Sequence, residues 1–212
     1  MKQLLSIVIL ITSLSCYGQA TRQTTHKPNY DSLRIVLEEM VYKDQNIRRI
    51  LIDSVGLDSP HAGTYIKQMQ NIDADNQVKL NVILDKYGWI EQSKIGKKAA
   101  EGFFYIVQHS DIALMEKWFP EFKRLASIGE ADKTACAMME DRLLMWKGKK
   151  QIYGSQASTF REDKKLAVWP IEDARNVNKR RKEMGFDLTV EQNAARLKAV
   201  YNENEQLPTK NK

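Results

Sequence analysis

Apolar residues recur every three or four positions through most of the chain between residues 31 and 146. This spacing places them on one face of an amphipathic helix, and it is typical of helices that pack around a hydrophobic core. One such helix is predicted to begin at Asp31, whose side chain can cap it. The others are predicted from near Asp75 to Gly88, from Gly96 to His109, from Asp111 to Gly129 and over residues 131–146.

Two short β-prone runs interrupt the helical pattern in the C-terminal third of the chain. They extend from Gln151 to Gln156 and from Leu166 to Ile171, and a polar connection joins them. We predict that they pair as one small β-hairpin, followed by helices from about Asp173 to Met184 and from Val190 to Tyr201. The predicted fold class is therefore mainly α: a single compact helical domain with one small β-hairpin.

The residues before this domain have the layout of an export signal. Lys2 precedes an apolar run from Leu4 to Leu14 that is too short to span a membrane, which takes roughly 20 apolar residues. Cys16 and Gly18 are small residues at the two positions that signal peptidase reads, so cleavage is predicted before Gln19. The predicted organisation is a signal peptide over 1–18, a polar tether over 19–30, a helical domain over 31–201 and a disordered tail over 202–212.

An exported protein of this kind is expected in the periplasm or outside the cell. The alternative is lipoprotein processing, in which Cys16 becomes the lipid anchor, but Ser13 stands where lipoprotein signals usually carry leucine. We therefore favour a mature chain with neither a lipid nor a transmembrane segment.

The formal net charge of +6 raises the question of nucleic acid as a partner. The densest basic run, from Lys179 to Lys182, has Glu172, Asp173 and Glu183 nearby and no aromatic residue between its charges. Without aromatic stacking platforms it is typical of a solvated helix face. No nucleic acid partner is predicted.

The standard signatures of metal and cofactor sites are missing. The three histidines are His26, His61 and His109, and they form neither HExxH nor HxH. The glycines form no phosphate-binding loop, and no GxSxG nucleophile motif occurs. We predict no metal and no cofactor, and whether the protein is an enzyme stays open.

Polar residues nevertheless occupy positions where apolar ones are expected. His109 ends a very apolar helix and shares a helical stripe with Glu101 and Tyr105. Asp141 and Arg142 lie in the middle of another apolar helix. Charged residues in such surroundings belong either to a structural ion pair or to a binding site.

Several short stretches together resemble one uncharacterised bacterial family, domain-of-unknown-function family 6624. They are VQHSD at Val107 to Asp111, DR at Asp141 and Arg142, QIYGSQ at Gln151 to Gln156 and WPIED at Trp169 to Asp173. DQNIR at Asp44 to Arg48 matches as well, and the resemblance covers roughly residues 31–201.

The resemblance implies no activity, because the family has none established, but it does imply candidate site residues. The family's Q-H-A-D, D-R and Y-G-T-Q motifs correspond to Gln108, His109, Asp111, Asp141, Arg142, Tyr153 and Gln156. Ser110 and Ser155 replace the usual alanine and threonine.

Three functions are consistent with these residues. The first is a binding domain that recognises a small polar ligand or a peptide end through Arg142 and Gln156. The second is a hydrolase in which His109 is the general base and an acid such as Asp141 orients it. The third is a structural or interaction module of the cell envelope with a buried polar network. All three predict that these polar groups converge, with Asp141 holding either Arg142 or His109.

Overall fold

The computed structural model describes residues 28–56 and 59–208, so the predicted signal peptide and most of the predicted tether lie outside the described residues. Within these ranges the chain forms eight α-helices and one two-stranded sheet, which confirms the mainly α fold class. The helices are α1 (Tyr30–Arg49), α2 (Ala62–Tyr87), α3 (Gln92–Ile95), α4 (Lys97–Gln108), α5 (Ile112–Ser127), α6 (Lys133–Trp146), α7 (Val177–Glu183) and α8 (Val190–Leu197).

Helix α1 begins one residue earlier than predicted and is capped differently. Asn29 is its N-cap, since the Asn29 side chain accepts a hydrogen bond from the Ser32 backbone N–H at 3.1 Å, and Asp31 lies in the first turn. An acidic residue there still interacts favourably with the positive end of the helix dipole. A π-helical turn over Ile50–Val55 extends α1.

Helix α2 begins at Ala62, whereas the sequence pattern predicts its start near Asp75. The residues between them are apolar at helical spacing, although only partly buried: Tyr65, Ile66, Met69 and Ile72. This first half of α2 is held against α1 by a polar contact made by Asp73, described below.

The main hydrophobic core lies between α1, α2, α4, α5 and α6. Helix α4 packs closely along α1 at Gly102, where an added Cβ would be 3.2 Å from the Leu37 carbonyl oxygen. The Trp89 ring stacks on Phe103 and Phe122 with centroid distances of 5.4 and 4.5 Å. Each apolar side chain buried in this way contributes about 1.5–3 kcal/mol relative to an exposed one.

Residues from the C-terminal part of the chain form a second, smaller hydrophobic core. It contains Val168, Ile171, Val177, Val190 and Ala194. The sheet above it pairs β1 (Ala157–Ser158) with β2 (Ala167–Val168) in antiparallel register, with Ala157 opposite Val168.

The predicted first strand of the hairpin is misplaced. β2 lies inside the predicted run from Leu166 to Ile171, but β1 starts just after the predicted run from Gln151 to Gln156. Residues 151–156 form a loop instead, which contacts the second run through an isolated bridge between Gln151 and Ile171 and through a hydrogen bond from the Trp169 N–H to the Gln156 carbonyl oxygen at 3.0 Å. The loop forms because Gly154 adopts a φ of +66° and the Asp141 carboxylate binds the backbone N–H groups that a strand would use.

The last predicted helices are confirmed with shorter bounds, as α7 preceded by a 3-10 turn over Ala174–Asn176, and as α8. Of the predicted tail, residues 202–208 are described and contain only a turn, while Glu205 pairs with Arg161 at 2.7 Å. Among the helices in the described ranges, none is both long enough and apolar enough to cross a membrane.

Candidate functional site

A polar cluster joins α1, α2 and α4, and we name its four residues, Asp44, Arg48, Asp73 and His109, the dyad cluster. Arg48 Nη1 donates to Asp44 Oδ1 at 2.9 Å, one turn away on α1. Arg48 Nη2 donates to both carboxylate oxygens of Asp73 on α2, each at 2.9 Å. Arg48 therefore links the first two helices through two carboxylates at once.

His109 joins this cluster from the C-terminal end of α4. Its Nδ1 lies 2.9 Å from Asp44 Oδ1, and its ring stacks at 6.4 Å on Tyr105, one turn earlier. An ionised carboxylate can only accept, so His109 donates through Nδ1 and the proton-accepting nitrogen is Nε2. The His109 side chain is 18% exposed and Asp44 only 1%, so the imidazole reaches solvent while its partner does not.

The dyad cluster also contains a set of possible metal ligands. One ligand atom each from Asp44, Asp73 and His109 lie within 4.8 Å of one another, the first two being carboxylates. The Arg48 guanidinium donates to both carboxylates and so supplies the positive charge that they require. A cation would have to displace Arg48, and the absence of a metal site stays a prediction.

Asp141 has different partners from those predicted, which were Arg142 and His109. Its Oδ1 accepts the backbone N–H groups of Ile152 and Tyr153 at 2.7 and 3.0 Å, and its Oδ2 accepts that of Ser155 at 2.9 Å. Asp141 is fully buried. Burial raises the pKa of this carboxyl, and the three N–H donors act in the opposite direction.

The Gln151 side chain holds the same loop through hydrogen bonds to backbone groups. Its Nε2 donates to the carbonyl oxygens of Gln156 and Trp169 at 3.0 and 2.6 Å, and its Oε1 accepts the Gln156 N–H at 2.9 Å. Both side-chain ends are therefore used, and the residue is fully buried. We name Asp141 and Gln151, together with the loop 151–156 that they hold, the loop anchor.

Arg142, on α6, contacts Gln156 of the loop anchor. Arg142 Nε donates to Gln156 Oε1 at 3.1 Å, as expected for two residues of one site. Burial, and secondly the positive charge of Arg48, lowers the pKa of the Arg142 guanidinium to about 10. Within residues 28–56 and 59–208, no carboxylate oxygen lies within 4.0 Å of this guanidinium.

The three remaining candidates have separate roles. Asp111 is the exposed N-cap of α5, accepting the Leu114 N–H at 2.8 Å. The Tyr153 ring stacks on the Phe186 ring, with a centroid distance of 6.1 Å. Gln108 is buried, and neither end of its amide has a partner among the described residues.

The structure therefore brings Arg142 to Gln156 and His109 to Asp44, and it assigns Asp141 to the loop. Sequence reasoning missed Asp44, Arg48 and Asp73 as functional candidates. Asp44 carried a usable signal, because it follows Leu37, Met40 and Val41 on the buried face of α1. A carboxylate at such a position requires partners from neighbouring helices.

Residues 31–203 match the family of unknown function DUF6624, and the chain belongs to that family. The match extends from the start of α1 to just beyond α8 and so includes the dyad cluster, Arg142 and the loop anchor. No match was found among curated proteins or among solved structures.

Proposed function

We propose that this domain binds a small anionic ligand, through a carboxylate or phosphate group, at the Arg142 guanidinium. The observation that carries the proposal is that Arg142 is partly buried and has no carboxylate partner among the described residues. Buried charges in proteins are usually paired, since an unpaired one loses its hydration without compensation. A guanidinium that lacks a protein partner is suited to an anion supplied by a ligand.

The guanidinium is held in one orientation before any ligand arrives. Gln156 Oε1 accepts from Arg142 Nε, while Gln156 Nε2 donates to the Met138 carbonyl oxygen at 3.3 Å and to Ser155 Oγ at 3.0 Å. Gln156 is itself buried. Because Nε is already used, Arg142 presents its two terminal nitrogens, which match the spacing of two carboxylate or phosphate oxygens.

Arg48 does not compete for this ligand. Its terminal nitrogens are directed to Asp44 and Asp73, and both of these ion pairs are short. Burial is the larger cause of the lowered pKa of Arg142, and the positive charge of Arg48 is the second cause. An anion bound at Arg142 would relieve that repulsion, which adds to the favourable energy of binding.

A second candidate function is hydrolysis of such a ligand, and the Asp44 to His109 contact of 2.9 Å favours it. Asp44 would orient His109, in place of the predicted Asp141, so that His109 Nε2 removes a proton from water as the water attacks an ester or amide carbonyl. The proton then passes from His109 to the leaving group. Hydrolysis of a p-nitrophenyl ester set in wild type, and its loss in His109→Gln, is the measurement that checks this function.

The binding proposal is tested by thermal shift and calorimetry with sodium phosphate and sodium acetate at low ionic strength. Wild type is expected to gain stability, by about 2.7 kcal/mol when the ligand is at 100 times its Kd. Arg142→Met is expected to lose this gain with only a small change in its own Tm, because removal of an unpaired charge opposes the loss of its hydrogen bond to Gln156 Oε1.

Arg124→Met is the matched control, since Arg124 is exposed and pairs with Glu121 on the surface of α5. It is expected to keep the full ligand response. The proposal is wrong if Arg142→Met responds like wild type or if neither anion stabilises the wild-type protein. A large loss of stability in Arg142→Met without any anion response would instead support the structural or interaction module.

We also propose export with cleavage before Gln19, on the strength of the apolar run from Leu4 to Leu14. The intact mass of protein recovered from its native host tests this. A chain that retains Met1, or a lipid on Cys16, contradicts it.

A further inference from the structure

A cleft of about 450 Å³ lies between α4, the start of α6 and the C-terminal residues from Arg181 to Arg196. It separates the main core from the smaller C-terminal core, and its volume is within the usual range for small-molecule sites. Neither Arg142 nor His109 lines it, although Tyr105 and Ser155 do. Its aromatic lining consists of Trp89, Phe104, Tyr105, Phe122 and Phe186.

One side of the cleft carries a carboxyl group without a partner. Glu101 is partly buried on α4, and among the described residues it makes no hydrogen bond and no ion pair. Burial raises the pKa of this carboxyl, while the positive charge of Lys97 opposes that change and the negative charge of Asp132 adds to it. A group in this environment gains from an added positive charge or hydrogen-bond donor.

The lining also contains a guanidinium that is incompletely paired. Arg181 is 3% exposed, and it donates from Nε to the Leu188 carbonyl oxygen and from Nη1 to that of Tyr153, both at 2.8 Å. The Phe186 ring covers it at 4.2 Å. Its negative neighbours Asp141 and Glu191 act only at longer range, and Nη2 makes no hydrogen bond within the described part of the chain.

The cleft is lined by equal numbers of basic and acidic side chains. Three are positive and three are negative: Lys97, Arg181 and Arg196, against Glu101, Asp132 and Asp187. A simple anion or a simple cation would meet repulsion as well as attraction in such a cleft. A ligand that carries both charges can place each one against its complement, and the aromatic lining suits an apolar side chain that extends from the charged groups.

We propose that this cleft binds a small zwitterion with an apolar side chain, of the class of the hydrophobic amino acids. Glu101 binds the ammonium group, Arg181 binds the carboxylate through its free nitrogen, and the aromatic rings contact the side chain. This site is separate from the anion site at Arg142, and neither proposal depends on the other.

Three probes of similar shape separate the two charges: L-phenylalanine, 3-phenylpropionate, which lacks the ammonium group, and phenethylamine, which lacks the carboxylate. Calorimetry with the full chain is expected to show that L-phenylalanine binds at least about tenfold more tightly than either analogue, a difference of about 1.4 kcal/mol. Equal binding of the three probes, or no binding of L-phenylalanine at 10 mM, about the weakest level that defines a specific site, overturns the proposal.

Glu101→Gln assigns the ammonium contact. It is expected to weaken the binding of L-phenylalanine by about tenfold and not to weaken that of 3-phenylpropionate, which has no ammonium group and is repelled by the Glu101 carboxylate. The fold should tolerate this substitution, because Glu101 has no partner among the described residues to lose. Glu116→Gln is the control, since Glu116 pairs with Lys147 on the surface outside the cleft. Unchanged affinity for L-phenylalanine in Glu101→Gln overturns the assignment.

Discussion

The loop anchor and the dyad cluster each contain an aspartate that is almost completely buried on an otherwise apolar helix. Asp141 is 0% exposed and Asp44 is 1% exposed. Their partners differ in kind, however. Asp141 binds three backbone N–H groups of one loop, whereas Asp44 binds the side chains of Arg48, His109 and Gln45.

This difference in partners gives Asp141 a structural role and places Asp44 in a cluster of side chains that can respond to a ligand. Backbone donors cannot leave without unfolding the loop, so Asp141 determines the path of the chain. Side chains such as Arg48 and His109 are 16% and 18% exposed, so they reach solvent and can respond to a ligand or a proton. Two buried carboxylates that look alike in the sequence therefore have different consequences for function.

The most direct test of this difference is to remove the Asp141 carboxylate. Asp141→Ala leaves three buried N–H groups without acceptors, and it is expected to lower the free energy of unfolding by about 3–5 kcal/mol. Glu140→Ala is the control on the adjacent position, because Glu140 makes one ion pair with exposed Lys123, and we expect less than about 1 kcal/mol. Urea denaturation measures both. Similar values for the two variants would contradict a structural role of Asp141.

The loop path can be tested without altering any charge. Gly154 and Gly148 have φ values of +66° and +67°, so an alanine meets the same backbone strain at each, about 1 kcal/mol. At Gly154 the new Cβ would also lie 2.7 Å from Val190 Cγ2 and 2.8 Å from Ile171 Cδ1, whereas at Gly148 nothing is within 4 Å. Gly154→Ala is therefore expected to cost about 1–3 kcal/mol more than Gly148→Ala. Equal Tm values would show that the second core does not constrain the loop.

The smallest expected effect sharpens the comparison within the dyad cluster. Arg48→Met removes the shared donor of Asp44 and Asp73, and it is expected to destabilise the fold by about 1–3 kcal/mol. Arg142→Met should cost less, because it breaks only the Nε hydrogen bond to Gln156 and leaves no carboxylate among the described residues without its partner. Chemical denaturation of the two variants side by side measures this. A loss for Arg142→Met as large as that for Arg48→Met would make Arg142 a structural residue.

Much of the helical architecture could be predicted because it depends on local periodicity. The helices α4, α5 and α6 lie close to their predicted bounds, since each has an apolar face and glycines at or near its ends. The start of α2 was missed although Tyr65, Ile66 and Met69 recur at helical spacing there. The first strand was misplaced because β-propensity does not reveal that Asp141 binds the backbone N–H groups of residues 152, 153 and 155.

The site could be predicted only in part. His109, Arg142 and Gln156 were recognised as polar residues at unusual positions, and Arg142 and Gln156 do contact one another. The acidic partner predicted for His109 was wrong, because the sequence does not show which of the two buried aspartates lies next to it. Asp44 is 65 residues away from His109 along the chain, and only the packing of α1 against α4 brings them to 2.9 Å.

The sequence by itself determined that this chain forms amphipathic helices and that it buries several charged and polar side chains. The physical reason is that helix periodicity and burial preference are properties of neighbouring residues. The tertiary structure alone decided which buried charges are satisfied: Asp141 by its loop, Asp44 by Arg48 and His109, and Arg142 by no carboxylate within the described ranges. Partner choice depends on distances between helices that are remote in sequence, and those distances exist only after the core has packed.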